Sequence, residues 1–513
     1  MWSWWYHASN MTEITMAILV TVFTLIWFLC ISRNLRKVQV PLPPGPRGLP
    51  VVGYLPFLGS NLHHEFTKLV QIYGPIYKLW LGSKLCVVIS SLSLMKEVVR
   101  DQDKIFSNRD STIGALITTY GGLDIAFSSY GPNWRKMRKI FVHEMLSNAS
   151  LDACYALRRV EVKKTIRQVY TRNIGMGIDV GELAFLSVTN SLMSMMSGGI
   201  IHGETIIGAE FRKVVAQETA ILAKPNVSDL FPVLARFDIQ GIERQAKEIL
   251  QTCDKLFNSA ITAAVEAKEG GNEQRKGFLQ SLLKLREHGD GDSKISINQI
   301  KGLLMDIVVG GTDTIATTVE WVMVKLMQHP KVMEKVQEEL TQVLGLNNFV
   351  EEFHLPKLQT LDSAVKETLR LHPVAPLLVP HCPSISCTVG GYTIPKGTTV
   401  YLNVGAMHKD PDLWDNPLEF RPERFLNDPS LFDYYGNNLQ YLPFGAGRRI
   451  CAGIPLAEKM LMHILASLLH CFKWELPPGQ VLDFSETFGV IIKKKNPLVA
   501  IPTPRLSKIE LYE

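Results

Sequence analysis

The sequence predicts a mainly α protein with small β-sheets, and three observations carry that expectation. Hydrophobic residues make up 46% and charged residues 20% of 513 residues, which permits a sizeable core and excludes global disorder. From about Asn61 to Leu371 the pattern is mostly helical. Strand-like stretches are short: "IYKLWLG", "LCVVIS", and the run from Cys387 to Val404, with Gly390-Gly391 and Pro395-Lys396-Gly397 as reversals.

The helical elements centre on one segment, "SINQIKGLLMDIVVGGTDTIATTVEWVMVKLMQHP". Ser296 and Gln299 make a capping box and Pro330 closes the far end. The segment corresponds to roughly 33 residues and about 50 Å of helix. Apolar residues on almost every face place it in the middle of a large protein. Polar breaks at Glu266–Lys276 and Glu287–Lys294 read as exposed loops between helices. After Cys451, "LAEKMLMHILASLLHCF" reads as another buried helix.

The net charge of +5, from 54 basic against 49 acidic residues, is too even to indicate a nucleic-acid partner. The eight cysteines are sparse and form no CxxC pair, which argues against a disulfide framework or a zinc ribbon. Ile14–Ile31 runs for 18 residues without a charge. At helical rise it spans roughly 27 Å, the thickness of a thin bilayer. Trp2, Trp4, Trp5 and Tyr6 precede it as an interfacial belt; Arg33, Arg36 and Lys37 follow, so the positive-inside rule puts the long C-terminal part in the cytosol. The organisation expected is a lumenal N-terminus (1–13), a transmembrane anchor (14–32), a basic and proline-rich hinge (33–50) and a catalytic domain (51–513). "PLPPGPRGLP", Pro41–Pro50, is the stiff part of that hinge.

Three oddities need one explanation. Cys451 sits among Gly445, Gly447 and Gly453 at a helix start, where free amides favour a thiolate and glycines let the backbone approach a large flat group. A lone cysteine beside glycines is as often structural as functional. The central helix carries Gly310-Gly311, which costs about 2 kcal/mol relative to alanine, followed by Asp313, an acid that burial penalises unless it is paired. That is either a kink with close helix packing or an opening for a small polar molecule, with Thr314 bonding back to the Gly310 carbonyl. Finally, Glu367 and Arg370 lie three apart on a helix, with Arg424 available from "FRPERF". Such a spacing is usually a surface contact, but in apolar company it is a candidate buried ionic lock.

These motifs together resemble the cytochrome P-450 superfamily. "FGAGRRICAG" is similar to its haem-binding loop, with Phe444, Gly447, Arg449, Cys451 and Gly453 at the fixed positions. "GGTDT" resembles its oxygen-activation motif, Glu367 and Arg370 its E-x-x-R, and Arg424 its "PERF" arginine. "WRKMR" resembles its W-x-x-x-R, through Trp134 and Arg138. Ile315 stands where many members have Thr or Ser, and His381 where many have a propionate-binding Arg. The resemblance implies the P-450 fold, with haem b between the central helix and the cysteine loop. Cys451 would be the axial ligand, Phe444 would shield its sulfur, and Arg449, Arg138, Trp134 and His381 would face the propionates.

The implied activity is membrane-anchored monooxygenation of a small hydrophobic substrate. Asp313 and Thr314 would relay protons, O2 would be the co-substrate, and electrons would come from NADPH through NADPH–cytochrome P-450 reductase. Arg135, Lys136, Lys139 and Arg448 would offer that partner a basic face. The microsomal pattern implies a single pass of the endoplasmic reticulum membrane with the catalytic domain cytosolic. Segments Ile113–Tyr120, Met305–Val309, Val374–Val379 and Thr487–Val490 would line the substrate cavity. The residues expected there are Ile113, Leu116, Ile117, Ile307, Val308, Gly310, Gly311, Ala375, Leu377, Leu378, Phe488 and Val490. They are mainly aliphatic, which suits an apolar ligand. The chain resembles plant hydroxylases of terpenoids first, then of flavonoids and other phenolics. Two other readings are a haem-thiolate isomerase or dehydratase that does not use O2, and a non-enzymatic haem sensor. The intact Asp313-Thr314 pair argues against the first; the second requires neither that pair nor an apolar pocket.

Overall fold

The computed structural model describes residues 41–199, 206–269, 277–289, 294–427 and 431–512, together with Thr21 and Thr24. The expected lumenal N-terminus, nearly all of the expected anchor and the first part of the hinge lie outside the described residues. Two described segments, Ile297–Gln328 and Ile454–Cys471, are long and apolar enough to cross a membrane, but both are 78% buried inside the protein. They are core helices.

Helices dominate. The main core gathers side chains from Tyr155–Asn173, Val180–Ser197, Ile242–Glu269, Ile297–Gly311, Asp313–Gln328, Gln359–Leu371 and Ile454–Cys471. The expected short strands form Ile76–Leu81 and Lys84–Ile89, which pair antiparallel; Lys84–Ile89 then pairs parallel with Thr399–Leu402. Cys387–Val389 and Tyr392–Ile394 make a hairpin turning on Gly390 and Gly391. A smaller core lies under the sheet, around Val87, Ile89, Val400 and Leu402.

Three expectations need revision. The central helix is two helices, because Thr312 leaves the helical backbone at φ −91°, ψ −73°. The cause is local: the hydroxyls of Thr312 and Thr314 donate to the carbonyls of Val308 (2.8 Å) and Gly310 (2.7 Å), where two glycines already weaken the helix. The Ser296–Gln299 capping box forms, and Pro330 opens the following helix, Pro330–Leu344, as well as ending this one. The polar break at Glu266 begins late: helix continues through Glu269, and Glu287 and His288 likewise belong to the helix Phe278–His288.

The proline-rich stretch is strapped to the body. The backbone N–H of Lys78 donates to the Pro44 carbonyl (2.8 Å), its ammonium to Pro43 (2.6 Å), and the Thr393 N–H to Pro41 (3.1 Å). Gly45 passes so close that a Cβ there would sit 1.9 Å from the Lys78 carbonyl oxygen, an approach only glycine permits.

Candidate active site

The cysteine loop folds on itself before the helix Ile454–Cys471. The Cys451 N–H donates to the Phe444 carbonyl (3.0 Å), and the Gly453 N–H donates to the Cys451 sulfur (3.3 Å). Gly447 holds the left-handed region, φ +69°; a Cβ there would lie 2.6 Å from both the Val99 carbonyl oxygen and an Asp103 carboxylate oxygen. Phe444 stands edge-on to Tyr434, with ring centroids 5.4 Å apart. Cys451 is the one exposed thiol among the described cysteines. Burial nevertheless pushes its pKa up, against the Gly453 N–H and the Arg138 charge.

Arg138 stands near Cys451, and Arg138, Arg109 and Arg449 form a set of guanidinium groups that are in no salt bridge among the described residues, although the buried Asp124 and Asp306 lie close enough to attract them. The ion-paired arginines among the described residues are Arg158, Arg159, Arg370, Arg421, Arg424 and Arg448. Arg109, Arg138 and Arg449 are different: their hydrogen bonds go to backbone carbonyls. Arg138 donates to Ile450 (2.7 Å), Arg449 to Ser107 (2.6 Å), Ile125 (3.0 Å) and Ser128, and Arg109 to Val379 (2.6 Å), Pro380 (2.9 Å) and Ala126 (3.2 Å). Burial, then repulsion from Arg449, pushes Arg109 down to about 9. Burial likewise pushes Arg449 down to about 10. Three desolvated cations gathered near the cysteine loop are the complement of a flat group carrying two carboxylates, so these residues fit a haem.

Trp134 is buried and donates its indole N–H to the Ile125 carbonyl (3.0 Å), with Arg449 over its ring at 4.5 Å. His381 is buried against the Phe106 carbonyl (2.9 Å from Nδ1), and desolvation followed by Arg109 pushes its pKa down to about 3. It is therefore neutral here. With its one proton on Nδ1, it presents a lone pair at Nε2.

The helix break supplies the polar partner. A Cβ on Gly310 would meet nothing within 4 Å, whereas one on Gly311 would meet Leu192 at 3.0 Å. Opening and close packing thus occur on adjacent residues. The buried Asp313 is satisfied: its Oδ2 accepts from Lys493 Nζ (2.7 Å) and from the Thr219 hydroxyl (3.2 Å). Lys493 is partly exposed and connects that acid to solvent.

Glu367 and Arg370 are fully buried. Arg370 grips Glu367 with both Nε (2.7 Å) and Nη2 (2.9 Å), and Arg424 Nε reaches the same carboxylate at 3.3 Å. The remaining donors of Arg370 go to the carbonyls of His408, Pro417 and Glu419.

Residues 43–501 match the cytochrome P-450 family. The chain is a cytochrome P-450. It is 36% identical to a flavonoid 3'-monooxygenase of Petunia hybrida, over 96% of this chain and 98% of the relative. It is 37% identical to carnosic acid synthase of Salvia pomifera, over 90% and 93%. A zebra fish cytochrome P-450 with abiraterone superposes with a TM-score of 0.71 at 26% identity, covering 86% of this chain and 99% of that one. The P-450 is accordingly a monooxygenase of the haem-iron class, acting on a small molecule with electrons from a redox partner.

The expected pocket residues of this P-450 differ in their exposure. Ile113, Ile117, Ala375, Leu378, Phe488 and Val490 are half-buried, and Leu116 is exposed. Ile307 and Val308 are taken into the main core. Leu377 packs with Phe66, Tyr77 and Leu79 in a small separate cluster.

Three site residues had no sequence signal. Arg109 joins the guanidinium cluster only because the chain brings residues 126 and 379–380 to it. Asp306 accepts the N–H groups of Ile125 (2.8 Å) and Ala126 (3.3 Å), pinning to the central helix the loop whose carbonyls hold Trp134, Arg109 and Arg449. Lys493 pairs with Asp313 across 180 residues.

Proposed function

We propose that this P-450 is anchored in the endoplasmic reticulum membrane and hydroxylates a plant terpenoid, with electrons from NADPH through NADPH–cytochrome P-450 reductase. The observations that carry the chemistry are an accessible Cys451 in its glycine loop, free space beside Gly310 and a paired acid, Asp313, at the helix break. Haem b held by Cys451 would supply oxygen activation. Arg109, Arg138, Arg449 and Trp134 would hold its carboxylates. His381 would contribute a donor only after taking a second proton or changing tautomer.

The chain's own contribution is proton handling. Thr314 holds its hydroxyl proton against the Gly310 carbonyl, beside the notch. Asp313 lies between that hydroxyl in sequence and Lys493 in space, so a proton entering at Lys493 has a two-residue path inward. The surrounding apolar helices exclude bulk water from the alternative routes.

Aliphatic side chains outnumber aromatic ones in the segments expected to line the pocket, with rings only at Tyr120 and Phe488, which favours a terpenoid over a flat aromatic substrate. The relative named flavonoid 3'-monooxygenase supports the second reading, a flavonoid or other phenolic substrate. Incubation with reductase, NADPH and a panel of both classes, with products identified by mass spectrometry, decides between them. Turnover of flavonoids alone overturns the terpenoid assignment.

Membrane attachment has support outside the N-terminal run. Val51, Phe57, Val233, Phe237 and Ile239 are large apolar side chains left exposed, Val233 at 84%. They belong to one end of the molecule, because Gly53 bridges Leu81 and the Ser83 N–H donates to the Leu230 carbonyl. Such a patch suits a lipid surface. On the proposed reductase face Arg135 and Lys139 are exposed, Lys136 is tied to the Lys294 carbonyl, and Arg448 is paired with Asp103 at 3.1 Å.

A further inference from the structure

We propose that His63, His64 and Glu486 form a binding site for a divalent transition metal of the zinc class, separate from the haem site. The three ligand groups lie within 4.8 Å of one another. His63 Nε2 is 3.2 Å and His64 Nε2 is 3.5 Å from the same oxygen, Glu486 Oε2. Zinc bonds of 2.0–2.1 Å at tetrahedral angles require ligand atoms about 3.3 Å apart, so an ion enters this constellation with small adjustments.

The convergence is unusual for its local structure. His63 and His64 are neighbours on the helix Leu62–Tyr73, where successive side chains diverge by about 100°. Here their rings lie tilted against each other, 37° between planes and 3.9 Å between centroids, and both reach one carboxylate, carried by the short strand Glu486–Thr487. Hydrogen bonding alone leaves a fault. His63 Nδ1 is buried with no partner. If the proton is on Nε2, Nδ1 is an orphaned acceptor; if it is on Nδ1, two lone pairs face each other across 3.2 Å. A cation between Nε2 and Oε2 removes the lone-pair repulsion and leaves the Nδ1–H as the one unpaired group of this ring.

His372 Nδ1 lies 3.1 Å from the other oxygen, Glu486 Oε1, and orients the carboxylate from behind. Lys409 and Lys68 are the adverse charges facing the cluster, so affinity is micromolar rather than that of a closed structural site. Access is open, because the side chain of His64 is 52% exposed and lines a cleft of about 470 Å³ with Gly59, Asn61 and Lys68.

The test uses the full chain, haem-loaded and purified without a histidine tag, after removal of adventitious metal with a chelator. Equilibrium dialysis against Zn2+ with elemental analysis is expected to give one zinc per chain with a dissociation constant of roughly 10 µM or tighter. X-ray absorption at the zinc edge is expected to show imidazole ligands. His64→Ala, a change on the surface, should retain the haem spectrum and weaken zinc binding tenfold or more. Glu486→Gln should do the same if it folds. Absence of stoichiometric zinc, or equal binding by His64→Ala, overturns the proposal whatever the enzyme's substrate.

Discussion

Glu367→Ala tests the buried lock. The carboxylate of Glu367 is fully buried and accepts four contacts: Arg370 Nε at 2.7 Å, Arg370 Nη2 at 2.9 Å, the Arg421 N–H at 2.9 Å and Arg424 Nε at 3.3 Å. Removing it leaves Arg424 its bond to the Asn416 carbonyl and Arg370 its three carbonyls, but no negative charge for either guanidinium. Breaking a buried pair from one side costs about 3–5 kcal/mol. That lowers the folded-to-unfolded ratio by roughly 150-fold to several thousand-fold. Set against a total stability of about 5–15 kcal/mol, it removes about a fifth or more of the margin. The assay is the yield of haem-loaded protein, from the spectrum of the reduced carbon monoxide complex, together with the guanidinium midpoint. Glu367→Gln, which keeps an acceptor but drops the charge, should fall between the two. A Glu367→Ala protein with wild-type yield and midpoint would refute the reasoning, since the arginines would then be solvated or re-paired at no cost.

Four further outcomes are expected. Cys451→Ser should abolish the thiolate signature of the reduced carbon monoxide complex; its persistence would place the axial ligand elsewhere. Thr314→Ala should keep fold and haem while product per NADPH falls tenfold or more and hydrogen peroxide rises, a positioned proton donor being worth about 10²–10⁴; an unchanged ratio would reduce Thr314 to a helix-shaping role. Deleting Met1–Ser32 should release only part of the protein from membranes, and adding Val233→Glu with Phe237→Glu should release most of the remainder, as measured by flotation; complete release by truncation alone would mean the apolar patch does not touch lipid. Stability should fall as pH drops below about 6: His372, His381, His408 and His470 are pushed by burial to about 4, 3, 3 and 4, so the unfolded chain takes up more protons between about pH 6.5 and 4. Glu218 and Asp124, raised by burial to about 7 and 6, act in the opposite sense together with Asp103, Asp229, Asp306, Glu320 and Glu458, also raised by burial; His64, His329, His354 and His463, lowered by burial, bring the histidines to eight against these seven acids. A guanidinium midpoint that rises between pH 7 and 5 would contradict this sum.

What was legible in the sequence was whatever is decided within a few residues. The cysteine loop, the capping box and the Glu367–Arg370 pair each depend on a spacing, and the structure has the contacts those spacings suggest. The helix break was half legible: two glycines and two threonines weaken the helix, but that Thr312 departs from it follows from how the hydroxyls bond back. Contacts between distant segments were not legible. Asp313 needed Lys493, the guanidinium cluster needed Arg109, and the loop at 124–128 needed Asp306, and nothing near these residues announces its partner. Leu377 and Leu378 are adjacent, yet one joins the cluster around Phe66 and the other packs against the sheet core, because the chain turns there: the Leu378 N–H donates to the Ala375 carbonyl and Leu378 takes φ +51°.

The strap at Pro41–Pro50 has a consequence for where the chain can be cut. Ile76–Leu81 is the outermost strand of its sheet, paired only with Lys84–Ile89. Its open side is closed by the strap and the segment after it: Lys78 donates to Pro44, and Trp80 accepts from the Tyr54 N–H. Prolines suit that position because they cap a strand edge without offering amides to a second chain. A truncation that starts beyond residue 41 to improve solubility would uncover those backbone groups and leave a pairing template for another molecule. Removing the greasy N-terminus and removing the strap would then have opposite effects on aggregation, although only a few residues separate the two cuts.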